Sequence, residues 1–208
     1  PVWYRGVESA PIRRTRLMQT VGEYLPQVTG RRFGYEPGHL PAEIYQRLAS
    51  DRQQVEMFDV APILHRLKRA KDPDELSVLR RSLRAAEAGY AAALAEARPG
   101  MSELDLFLLV ENAVMRADGE QVSIYGDFVS GPRTAAVGGL PSDRVIESGD
   151  LVLIDFSALI QGYRGDLCNT FACGSGPTAR QREMYEAILE AMHAAEAQLA
   201  PGREARQV

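Results

Sequence analysis

The chain has 208 residues, of which 45% are hydrophobic and 25% charged, with a formal net charge of −4. These are the proportions of an ordinary soluble globular protein of one or two domains. The acidic balance gives no electrostatic case for binding nucleic acid or an anionic membrane, no apolar run approaches the roughly 18 residues that span a bilayer, and no signal peptide is visible.

Residues 1 to about 67 read as the tail of an α/β domain. Arg31 to Glu36 reads as a strand and Pro41 to Ala49 as a helix with Ile44, Tyr45 and Leu48 on one side. Val55 to Val60 reads as a second strand, followed by a helix over Ala61 to Lys71 whose late basic residues complement a helix C-terminus. Asp72-Pro73 opens the next element, an N-cap acid before Pro at the first helical position. Leu76, Leu79, Leu83, Ala86 and Tyr90 recur at helical spacing, which predicts one buried stripe before Pro99-Gly100 ends the helix. Ser102, with Asp105 three positions on, caps a further helix with Leu104, Phe107, Leu108 and Met115 inward and Gly119 as its C′ residue. Val122 to Val129 reads as a strand and Ser130-Gly-Pro as a turn. After a second stretch of strands, Met184, Ile188, Met192, Ala195 and Leu199 mark an amphipathic helix running to Pro201-Gly202.

The stretch between these landmarks carries the chemistry. Leu151 to Ile154 is apolar and rich in β-formers, and Asp155 ends it; Asp166 is followed by the apolar Leu167. Both flanks read as strands, with Leu159 to Gly162 as the turn. A hairpin folded about Ile160 and Gln161 pairs residues whose numbers sum to 321, which sets Asp155 opposite Asp166 on one face, with Cβ atoms roughly 4.5–5.5 Å apart. Like charges so opposed weaken a sheet unless a cation lies between them, and hard carboxylate oxygens suit Mn²⁺, Mg²⁺ or Zn²⁺. Two acids on a solvated face, or a slipped register, is the other reading of the same spacing.

Three segments taken together, Ser130-Gly-Pro-Arg-Thr-Ala, Pro141 to Phe156 and Gly162 to Phe171, resemble the creatinase/aminopeptidase P/methionine aminopeptidase family, the "pita-bread" M24 metallopeptidases. The Xaa-Pro aminopeptidase and prolidase members are the nearest in pattern. Upstream, Leu67 to Leu76 resembles the usual entry to that family's catalytic domain. The resemblance implies an α+β, partial pita-bread fold, with helices on a curved, mainly antiparallel sheet, over residues 72–208. It also implies the C-terminal part of a creatinase-type N-terminal domain over residues 1–67. Asp155 and Asp166 are carried over as metal ligands, and the cofactors implied are two divalent metal ions, Mn, Co or Zn, in the complete protein. No catalytic or substrate-binding residue is carried over. The implied activity is cleavage of short Xaa-Pro peptides by metal-activated water, in a cytoplasmic enzyme; homodimerisation is common among such relatives.

Both ends look cut: the remaining ligands of the family's site, a histidine and two glutamates, are expected beyond Val208, so residues 1–208 alone are expected to be hydrolytically inert. His39, His65 and His193 lie outside the expected contexts. The peptidase members place a histidine between the Ser-Gly-Pro turn and the Pro-x-x-Arg segment, where this chain has Gly138 and Gly139, and an oxyanion donor is thereby lost. Two alternatives follow: a creatinase-like non-peptide C–N hydrolase, or a non-catalytic pita-bread binding module. Arg144, Asp150 and Tyr163 also match the pattern and read as structural. Cys168 and Cys173 fit neither a zinc knuckle nor a redox motif and read as reduced packing residues. Glu183, Glu186, Glu190 and His193 read as a solvated helix face, and Ser157 lacks a histidine base.

Overall fold

The chain divides at Lys71, where residues Pro1–Lys71 and Asp72–Val208 form separate units. The computed structural model describes residues 31–50, 55–136 and 138–208, together with Arg16, Gln19, Thr20, Glu23 and Tyr24; the part of the α/β reading before Arg31 lies largely outside them. In the first unit, strands β1 (Arg31–Tyr35) and β2 (Val55–Asp59) pair in parallel, joined through helix α1 (Ala42–Ser50). Parallel neighbours need a crossover, and α1 supplies it, burying Ile44 and Leu48. Helix α2 (Ala61–Leu67) follows and stops short of the expected Lys71.

In the second unit, helix α3 (Pro73–Glu96) begins where Asp72 and Pro73 predict, and the Asp72 backbone N–H donates to Glu75 Oε2 at 2.7 Å. Helix α4 (Glu103–Asp118) opens on the reciprocal Ser102–Asp105 capping box and closes on Gly119 in the left-handed region. Strands β3 (Ser123–Ser130), β4 (Leu151–Ile160) and β5 (Tyr163–Ala172) form an antiparallel sheet in the order β3-β4-β5, so β5 lies at an edge. Val152, Ile154, Phe156, Ala158 and Ile160 of β4 pack with Ala85, Ala86 and Ala93 of α3 and Leu106, Val110 and Val114 of α4. Period-2 alternation therefore places the odd-numbered residues of β4 on the face away from the helices.

The buried stripe of α3 differs from the leucine pattern: Ser82, Ala85, Ala86, Gly89 and Ala93 are buried, while Leu76 is exposed. Around Ser82 and Gly89 the helix lies so close to the sheet that a Cβ on Gly89 would come within 3.2 Å of the Phe156 ring and one on Gly165 within 2.6 Å of Ser82 Oγ. Ser82 Oγ donates to Ala158 O at 2.6 Å and accepts from the Gly165 N–H at 2.8 Å. The Tyr90 hydroxyl reaches the carbonyls of Ile154 and Leu167, tying α3 to both strands of the hairpin. On α4 the expected phase is also corrected. Leu106, Val110 and Val114 face the core and Leu104 and Leu108 are exposed, with Phe107 edge-on to Phe128 at 5.2 Å and Met115 partly buried. That helix is apolar around much of its circumference, so hydrophobic spacing alone offers more than one phase; the buried stripe is Glu103, Leu106, Val110 and Val114.

Helix α5 (Ala179–Glu196) ends short of Pro201 and has no buried residue; Met184, Ile188 and Met192 are exposed.

The β4–β5 turn is built from Gln161 (φ 49°) and Gly162 (φ 85°), both at positive φ, the signature of a two-residue type I′ loop. Asn is better suited than Gln to the first of these positions. Gln161→Asn is therefore expected to raise stability by about 0.5 kcal/mol, read as an upward shift in the denaturant midpoint with an unchanged slope.

Candidate active site

The I′ loop corrects the expected register. Centring the turn on Gln161-Gly162 pairs Ile160 with Tyr163, so Asp155 lies opposite Cys168 and Asp166 opposite Ser157. A turn centred on Ile160-Gln161 would place a β-branched residue at positive φ, which the backbone disfavours. Because the difference amounts to two positions on the partner strand, parity is preserved. Asp155 and Asp166 share the face away from the helices as diagonal neighbours, at the about 7–8 Å typical of that relation, rather than standing directly opposed.

The residue that does stand opposite Asp155 across the other strand pair is Asp127 of β3. The acidic face thus holds three carboxylates, Asp127, Asp155 and Asp166, on three successive strands. Burial pushes the Asp155 carboxyl above the ordinary carboxylate range, and the charges of Asp166 and Asp127 push it further, against a hydrogen bond from Cys168. Among the described residues, none of the three forms an ion pair with a Lys, Arg or His. Ser157 Oγ donates to Asp166 Oδ1 at 2.8 Å and fixes that carboxylate from the buried side. Cys168 is exposed beside the acids, which corrects its reading as a packing residue, while Cys173 is buried and packs as expected. Burial first, then the field of Asp155, raises the Cys168 thiol pKa.

A loop closes over the end of β3. It begins with a 3₁₀ turn, Gly131–Ala135, where a simple turn is expected, and returns through Gly138 and Gly139 to Ser142. The Phe128 N–H donates to Gly139 O at 3.0 Å. Gly138 has φ +105°, and a Cβ built there would lie 2.0 Å from Asp127 Oδ2. The place where a side chain would project from residue 138 is therefore occupied by the Asp127 carboxylate.

Two arginine–carboxylate pairs hold this loop. Glu103, 1% exposed, accepts from Ser130 N–H (2.7 Å), Ser130 Oγ (2.9 Å), Ser142 N–H (3.2 Å), Ser142 Oγ (2.7 Å) and the Arg133 guanidinium. Arg144 Nη1 donates to Ser130 Oγ at 2.6 Å and to Asp150 Oδ2 at 2.7 Å. Burial works to raise the Asp150 carboxyl, but the Arg144 hydrogen bond and the Glu147 N–H hold it below the usual range. Tyr163 Oη donates to Glu75 Oε1 at 2.6 Å, pinning the start of β5 to the first turn of α3.

The sequence reading overlooked Asp127 and Glu103. Asp127 is an acid inside a strand between Gly126 and Phe128, on the same alternation as Ser123 and Tyr125, which is a readable sign of a polar face. Glu103 carries no such sign, since acids are ordinary in the first turn of a helix. Glu183, Glu186, Glu190 and His193 are all exposed, as the solvated-face reading expects.

The donor set on the acidic face is all carboxylate oxygen, without a neutralising cation among the described residues, which suits a hard divalent metal. Among the described residues, however, no three His, Cys, Asp or Glu side chains are placed to hold an ion together.

The model of metallopeptidase family M24 matches residues 77–208, and the chain belongs to that family. It is 30% identical over 169 residues to the Xaa-Pro dipeptidase of Pyrococcus horikoshii, covering 81% of this chain and 48% of that protein. With the Xaa-Pro aminopeptidase of Escherichia coli it shares 32% over 137 residues, covering 65% of this chain and 31% of the relative. Among solved structures, the prolidase of P. horikoshii superposes with a TM-score of 0.74 at 30% identity, over 83% of this chain and 50% of that one. The aminopeptidase PepP of Pseudomonas aeruginosa gives 0.79 at 27% identity, over 88% and 44%. The fold is the α+β pita-bread type that the resemblance implied, and the chain spans about half the length, or less, of these relatives.

Two outcomes test the geometry. Gly138→Ala, at positive φ and against Asp127, is expected to cost about 1–3 kcal/mol in a urea titration. Asp150, with a lowered folded pKa, contributes stability that is present above its unfolded pKa of about 4 and is lost as pH falls through the folded value. Asp150→Asn should therefore lower stability near neutrality by about 2 kcal/mol and flatten the loss of stability in acid, measured as thermal midpoints from pH 7 to pH 2.

Proposed function

We propose that the complete protein is a metal-dependent hydrolase of short Xaa-Pro peptides and that Asp155 and Asp166 are two of its metal ligands. The observation that carries this reading is the acidic face itself: both acids lie on one side of a twisted hairpin, uncompensated by an ion pair among the described residues. The M24 family match and the Xaa-Pro dipeptidase and aminopeptidase relatives support the substrate class.

Two divalent cations, of the Mn, Co or Zn kind, would supply an activated water and polarise the scissile carbonyl. The chain's own contribution is placement. Ser157 orients the Asp166 carboxylate, β4 holds Asp155 against a packed core, and the 131–142 loop walls the end of β3. Gly138 leaves no side chain to donate to a developing oxyanion there, so any such donor in this protein comes from elsewhere.

Residues 1–67 are proposed as the C-terminal part of a creatinase-type N-terminal domain, in keeping with the parallel β1-α1-β2 unit. No helix among the described residues is long and apolar enough to cross a membrane, and a cytoplasmic location fits the free cysteines. Homodimerisation is proposed on the family resemblance alone.

A non-catalytic pita-bread binding module is the second reading, favoured by the glycines at 138 and 139 and opposed by the presence of both Asp155 and Asp166. The experiment is metal analysis of the complete protein with turnover of an Xaa-Pro dipeptide. Asp155→Ala and Asp166→Ala are each expected to remove bound metal and to lower kcat/KM by about 10³-fold or more. Full activity in a metal-free preparation, or in either variant, would sink the proposal.

A further inference from the structure

The geometry points to Glu103 as a positioning residue, whose buried charge holds the 131–142 loop as the substrate-facing wall of the acidic site. This rests on the hydrolase reading above.

Glu103 lies in the first turn of α4, on the helix-covered side of the sheet, yet its carboxylate spends every bond on the loop. It takes the N–H and Oγ of Ser130 at the loop's start, the guanidinium of Arg133 in the 3₁₀ turn, and the N–H and Oγ of Ser142 at its end. Arg133 extends the clamp by donating from Nη2 to Leu140 O at 3.0 Å. One buried anion thus gathers both ends and the middle of the segment. What the clamp presents is the Gly138 backbone, seated against Asp127, which pairs in register with Asp155. The path from Glu103 to the acids is continuous: helix α4, carboxylate, loop, Asp127, Asp155. It needs the charge as well as the shape. A glutamine at 103 has one oxygen and one NH₂, and that NH₂ would face the donors of Ser130 or of Arg133 and Ser142, so part of the clamp opens whichever way the amide lies.

A wall that only shapes the substrate pocket differs from a metal ligand in its kinetic signature. In the complete protein, Glu103→Gln is expected to raise KM for an Xaa-Pro dipeptide by about tenfold while kcat changes less than about threefold, with Co²⁺ content unchanged. Amide exchange across residues 131–142 should quicken while α3 and β4 keep their protection. Ser142→Ala, which removes one hydroxyl donor and leaves the carboxylate, should move KM the same way by about threefold. It decides the matter if the glutamine variant does not fold. An unchanged KM in the folded glutamine variant, or in Ser142→Ala if that variant does not fold, overturns the assignment. So does loss of Co²⁺ in step with activity, because Glu103 would then act on the ligands and not on the wall. If the unsubstituted protein cleaves no Xaa-Pro peptide, the hydrolase reading fails on its own. The exchange measurement then stands alone, and unquickened loop exchange in Glu103→Gln overturns the clamp.

Discussion

The site depends on the register of a single hairpin. Two residues at positive φ, Gln161 and Gly162, close β4 onto β5, and the alternation of the strands does the rest. Val152, Ile154, Phe156 and Ala158 must face α3 and α4, because that side holds the apolar core; Asp155 and Asp166 are thereby turned outward together. A slip of one residue would drive the acids of one strand into the core and its leucines and phenylalanines into water. Core packing and acid placement are two faces of one constraint, which is why the acids can be held close without any direct attraction between them.

Behind the acids stands a second electrostatic arrangement of opposite character. Glu103 and Asp150 are carboxylates matched to Arg133 and Arg144, with Ser130 Oγ shared between the two halves. Removing a charge from water costs several kcal/mol, and Glu103 offsets that cost with donors from three residues of one loop. Fully satisfied networks of this kind specify geometry more than they add stability. The contrast is instructive: acids that meet guanidinium groups form the frame, and acids left without them form the candidate site.

Much of this was legible in the residues. Asp72-Pro73, Ser102 with Asp105, and Gly119 marked helix ends that the structure reproduces, because capping is local chemistry. The hairpin itself was legible, and so was the common face of Asp155 and Asp166. Its register was not, because choosing between Ile160-Gln161 and Gln161-Gly162 turns on which residue tolerates positive φ, a preference that strand alternation does not reveal. The buried face of α3 was legible only at Ala86 and Tyr90, because close helix–sheet contact selects Ser82, Ala85 and Gly89 over the leucines that hydrophobic spacing singles out. Asp127 and Glu103 were missed for different reasons. The role of Asp127 emerges only from its pairing across strands, and that of Glu103 only from a loop that returns to it.

The two-residue loop has a kinetic corollary. Hairpins this short close in roughly 1–10 μs, whereas seating the hairpin on α3 and α4 requires contacts between segments far apart in the chain. Asp155 and Asp166 are therefore neighbours while the chain is still collapsing, and their repulsion acts against the ribbon before any core exists to secure it. Divalent salt present during synthesis or refolding would screen that repulsion at its most damaging moment. The ease with which this ribbon first forms is then coupled to the ionic strength around the chain.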